Sequence, residues 1–135
     1  MGPRSNSITE DKVIQGLSKV SSDERIFRQW HQKFLSAMGQ VKEESQEMLE
    51  GIVNLVDLGK TPEKATEEIW NTYGVQWSEL SREVYKVLID KADGEAYEKI
   101  KGIPAEEGGT AYGVMYKWFT DVSGLGLSEQ TRRLM

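Results

Sequence analysis

Six apolar residues late in this chain leave little choice of fold. Ala111, Val114, Met115, Trp118, Phe119 and Val122 fall at i, i+3, i+4, i+7, i+8 and i+11, which is one face of an α-helix and no face of a strand. A second stripe is nearly as regular. Ile26, Phe27, Trp30, Phe34, Ala37, Met38 and Val41 recur at helical spacing, with Arg25, Arg28, Gln32, Lys33 and Ser36 opposite them; one side is core and the other is water. Nowhere do apolar and polar residues alternate for long enough to make a convincing strand. At 135 residues the chain has room for one domain. The expected fold is all-α, a compact bundle of six or seven short helices.

Caps and breakers divide that bundle. Residues 1–8 are polar, with Gly2 and Pro3, and read as a disordered or expression-derived tail. A first helix is expected over 9–20, with Ser7 and Glu10 at capping-box spacing and Val13, Ile14 and Leu17 inside. Ser21 and Glu24 cap the second. A third, over 42–58, starts acidic at Glu43, Glu44 and Glu47 and closes at Gly59. Thr61 and Pro62 then open a fourth, which carries Ala65, Ile69, Trp70 and Tyr73 inward and stops at Gly74. Ser78 caps a fifth over 79–92, lined by Leu80, Val84, Val87 and Leu88. A short piece over 95–101, a loop over 102–109 and the late stripe follow. Ser128 opens a further helix that residues 128–135 begin and do not finish, so the domain is expected over 9–127 and the chain reads as a fragment of a longer polypeptide. The expected core is Phe27, Trp30, Phe34, Ile52, Trp70, Val84, Leu88, Val114, Met115, Trp118 and Phe119, with Trp30 and Trp118 buried together.

Chemistry is harder to find. The sequence has no cysteine and a single histidine, His31. Zinc fingers, iron–sulfur clusters, thiol catalysis and paired-histidine metal sites are therefore not expected. His31 reads as a surface or boundary residue, since no partner for a triad lies near it in sequence. Gly59, Lys60 and Thr61 resemble the end of a phosphate loop, but Asn54 stands where its first glycine belongs and Pro62 follows; a helix stop and start explain them better. Residues 90–95 fail as a calcium loop, with Ala92 at the third position. Gly124 and Gly126 lack a preceding strand and read as a turn. The acidic pairs Glu43 with Glu44, Glu67 with Glu68 and Glu106 with Glu107 point in diverging directions on a helix and read as solvated faces. The net charge of −5 opposes general nucleic-acid binding. No apolar run approaches the roughly 20 residues of a membrane span, and the polar start shows no leader. Trp77 and Tyr112 sit off the stripes and, with the basic pair Arg132 and Arg133, are the candidate interface residues. No catalytic residue, metal ligand or cofactor is expected.

Two segments together resemble a known family. FRQWHQKFLSAMG over 27–39 carries an F-x-x-W pattern at Phe27 and Trp30. In the second, from 80 to 135, Gly94 and Ala96 match an x-x-G-x-A stretch, Ala111 with Trp118 and Phe119 matches an A-x6-W/F helix behind a glycine-rich loop, and Arg132, Arg133 and Leu134 match a basic-leucine helix start. In this order they resemble the Gag-like proteins of LTR retrotransposons, the copia-type group included. The resemblance implies an N-terminal capsid-type fold and a structural, non-enzymatic domain. Such a domain self-associates through weak, repeated surface contacts into virus-like particles in the cytoplasm. It implies a homo-oligomer that needs a second lobe for ordered particles, and RNA contact only through regions outside this chain, since the Cys-x-x-Cys knuckle and the Gln-Gly-x-x-Glu signature are both absent. An intracellular helical adaptor, binding a partner protein through a groove, is the alternative.

Overall fold

The structure, a computed structural model, describes residues 11–20 and 24–122. They form seven helices: α1 (Lys12–Gln15), α2 (Glu24–Val41), α3 (Ser45–Asp57), α4 (Pro62–Tyr73), α5 (Val75–Lys91), α6 (Gly94–Ile100) and α7 (Gly108–Val122). A 3₁₀ turn, Ala105–Glu107, leads into α7. The fold is all-α: among the described residues the only β-type contact is an isolated bridge between Val20 and Ala92.

Local chemistry explains most boundaries. α1 is shorter than expected and starts on Asp11, whose Oδ1 accepts the Val13 N–H at 2.9 Å. Ser7 and Ser21, the caps expected for the first two helices, lie outside the described residues. The turn after α2 is closed by Ser45, whose buried Oγ donates to the carbonyls of Met38 (2.6 Å) and Lys42 (2.7 Å); α3 therefore begins at Ser45 rather than at residue 42. α3 ends in a Schellman motif. Gly59 has φ +100°, its N–H donates to the Val56 carbonyl, and the Lys60 N–H donates to that of Leu55. Thr61 Oγ1 then accepts the Lys64 N–H at 3.1 Å and Pro62 takes the first position of α4.

The largest difference from the sequence reading is α5. It starts at Val75, directly after Gly74 at φ +63°, and not at Ser78. That single positive-φ glycine redirects the chain, and one more turn of helix becomes available to pack. Trp77 consequently joins the stripe of Leu80, Val84, Val87, Leu88 and Lys91, all buried. The expected loop is also shorter, since α7 is already helical at Gly108.

α7 lies at the centre and packs on α4 and α5 most closely, then on α3, α6 and α2. Its first half has no outward face, for every residue from 108 to 113 is buried. Glycine makes this possible. A Cβ on Gly108 would lie 1.8 Å from the Ser81 carbonyl oxygen, and one on Gly109 would lie 2.3 Å from the Trp77 ring. The buried face of α7 is Ala111, Tyr112, Met115 and Phe119. It is rotated from the predicted stripe, so Val114 and Trp118 fall at its edge and are half-buried. Phe27, Trp30, Phe34, Ile52, Val84, Leu88, Met115 and Phe119 are all in the core. Trp70 is not: it is 45% exposed, because it follows Ile69 by one residue, about 100° around the helix from the buried face.

Candidate functional site

The first candidate site grows from α2 and α7. Phe27 and Phe119 stack at 4.2 Å between centroids with planes 7° apart, and Trp30 continues the stack to Phe34 at 5.0 Å. Trp30 is held by its indole N–H, which donates to the Ser18 carbonyl at 2.6 Å. His31, the next residue, lies against Phe27, Tyr112 and Tyr116, with centroids 5.4 to 5.6 Å away. A hydrogen bond of 2.5 Å joins His31 Nε2 to the Tyr112 hydroxyl. Burial drives the imidazole down from 6.5 to about 4, while the Glu50 carboxylate pulls weakly the other way. His31 is thus neutral at physiological pH, well below the range a general base needs. Burial raises Tyr112, and burial with the Asp57 hydrogen bond raises Tyr116. Beside this cluster is a concavity of about 440 Å³ lined by Phe27, His31, Leu35, Val53, Tyr116 and Phe119 among others. Arg28, Gln32, Glu50 and Thr120 complete its rim, and its one imidazole is already bonded to Tyr112, which suits packing more than proton transfer.

The second candidate lies where α4, α5 and the start of α7 meet. Glu63, Glu67, Glu106 and Glu107 border a groove of about 270 Å³, together with Thr66, Trp70, Trp77, Ser78, Ser81 and Thr110. Ser81 Oγ donates to the Glu106 carbonyl (3.2 Å) and accepts the Gly109 N–H (3.0 Å), fixing the 3₁₀ turn against α5. Glu67 reaches Lys64 at 3.5 Å on the exposed surface of α4. Among the described residues, no basic side chain comes within ion-pair distance of Glu63, Glu106 or Glu107. Arg82 and Lys86 share a separate concavity with Ala105 and Glu106. Thr66 Oγ1 is buried without a hydrogen-bond partner among the described residues.

The sequence-predicted interface residues are placed differently. Trp77 is 2% and Tyr112 1% exposed; both are core, Trp77 through the early start of α5 and Tyr112 through its contact with His31. Arg132 and Arg133 lie outside the described residues. Trp118 does not share the deep core with Trp30. It sits half-buried with Lys99 Nζ 5.7 Å from its ring centroid. The exposed tryptophan is Trp70, and sequence periodicity missed it because its neighbour Ile69 belongs to the stripe. Glu63 and Glu67 come from α4 and Glu106 and Glu107 from the 3₁₀ turn, far apart in sequence, so only the packing of that turn and of α4 on α5 and α7 brings them together.

Among the described residues, no group of three or more His, Cys, Asp or Glu side chains is placed to hold a metal ion. No described helix is long and apolar enough to cross a membrane. No family model, no curated protein and no solved structure matches this chain.

Proposed function

We propose that this chain is a structural domain that works by self-association through its surface helices, as a Gag or capsid subunit does, within cytoplasmic particles. The observation that carries the reading is the exposed apolar surface around the Gly74 turn. Trp70 at the end of α4 is 45% exposed and Val75 at the start of α5 is 66% exposed. Tryptophan is enriched where binding energy concentrates, and Trp70 borders the groove between α4, α5 and the 3₁₀ turn. The resemblance in residues 27–39 and 80–135 supports the particle setting, and no matched relative adds to it. Weak contacts repeated over many subunits then act through avidity.

The groove beside Trp70 also favours a second reading, an intracellular adaptor that takes a partner segment there. Sedimentation velocity across a concentration series separates the two. A self-associating domain sediments faster as it is concentrated. A chain that stays monomeric to the highest concentration is the adaptor.

A further inference from the structure

We propose that the groove bordered by Trp70, Glu63, Glu106 and Glu107 receives residues 132–135 of a second copy of this chain. The inference rests on the self-association reading and names its contact. It starts from charge. Three carboxylates face one groove with no basic side chain of the described structure in ion-pair distance, and the whole chain carries −5. Such a surface repels most of its own copy. It attracts a cation, and an exposed indole at the same place adds cation–π attraction for a guanidinium.

Size narrows the occupant. At about 270 Å³ the groove is below the roughly 300–1,000 Å³ of small-molecule sites. It fits one or two side chains of a peptide. The sequence has a single adjacent arginine pair, Arg132 and Arg133, followed directly by Leu134 and Met135. That segment offers the guanidinium the carboxylates need. It also offers a leucine and a thioether, both suited to packing on an aromatic face.

The contact is head-to-tail. The groove is built from residues between 63 and 110, and the donated segment, 132–135, is a different part of the sequence. Donor and acceptor are different surfaces, so each copy gives one segment and receives one. A heterologous contact of this kind closes into a ring or extends as a chain.

The test uses the full chain and two double variants, Glu63→Gln with Glu107→Gln, and Arg132→Ala with Arg133→Ala, all checked by circular dichroism for unchanged helicity. In sedimentation velocity, wild type should associate at low salt and dissociate as salt rises, because the contact is ionic. Each double variant alone should lose about tenfold or more in association constant. Mixed in equal amounts they should form a dimer and nothing larger, since one still has its groove and the other its segment. If wild type associates but the variants do so equally, or if association strengthens with salt, the groove inference falls and self-association stands on another surface. If the variants change Trp70 fluorescence while wild type stays monomeric, the segment binds its own chain and the second copy is wrong. If wild type is monomeric and nothing changes, both this inference and the self-association reading fail. Should the glutamine variant misfold, Trp70→Ala replaces it in the same mixture.

Discussion

His31 and the two tryptophans show what single residues contribute. The folded His31 titrates at about 4 against 6.5 unfolded, so the native state binds fewer protons between those values. Its contribution to stability is therefore complete above pH 6.5 and is lost as pH falls toward 4. At 1.36 kcal/mol per pKa unit the loss is about 3 kcal/mol. Carboxylates titrate nearby, so the measurement is the difference in urea midpoint between wild type and His31→Gln at several pH values. The difference should shrink or reverse as pH falls. Trp30→Ala should cost about 3–5 kcal/mol, as large-to-small core changes do. Trp118→Ala should cost clearly less, because it removes a half-buried ring covered by Lys99 and leaves no sealed cavity; thermal melts of the two variants compare them directly. Both tryptophans lie on sequence stripes, and the stripes alone could not rank them. Burial depth depends on how far α7 is rotated, and three glycines permit that rotation by close approach, Gly108 to the Ser81 backbone, Gly109 to the Trp77 ring and Gly113 to Pro62. A residue with no side chain carries no hydrophobic pattern.

At the scale of elements, the sequence was most legible where local chemistry decides. The end of α3 at Gly59, the Thr61 cap and Pro62 opening were readable because each satisfies backbone groups within a few residues. The start of α5 was not. Ser78 resembles a cap, but Gly74 at φ +63° turns the chain earlier, and tertiary packing of Trp77 holds the added turn. The same packing hides the groove, whose walls come from α4, α5 and the 3₁₀ turn and meet only in the folded chain. This account predicts a steep penalty at the α5–α7 crossing. Gly108→Ala forces a Cβ against the Ser81 carbonyl and the Tyr85 amide, backbone atoms that cannot swing aside. The loss should reach the upper end of the ~1–3 kcal/mol that overpacking costs, or exceed it. Gly102→Ala, with nothing within 4 Å of its added Cβ, is the control; chemical denaturation of both checks the contrast.

For the molecule as a whole, two electrostatic effects oppose each other. The net charge of −5 pushes copies apart at low salt, and on that ground alone association should strengthen as salt screens it. The proposed attraction between the groove carboxylates and an arginine pair works the other way. The sign of the salt dependence therefore reports which effect controls assembly. The all-α class was legible from helical periodicity, whereas the proposed docking face was not, because Trp70 becomes a surface residue only through the placement of Ile69 in the core. The most direct check of the central claim, that copies meet through the Trp70 face, is a dilution series followed by amide and indole chemical shifts. The account predicts shifts that grow with concentration at the Trp70 indole, Val75, Glu63 and Glu107, and little change around His31. Shifts that stay constant at every concentration, or that gather around His31 and leave Trp70 still, would contradict it.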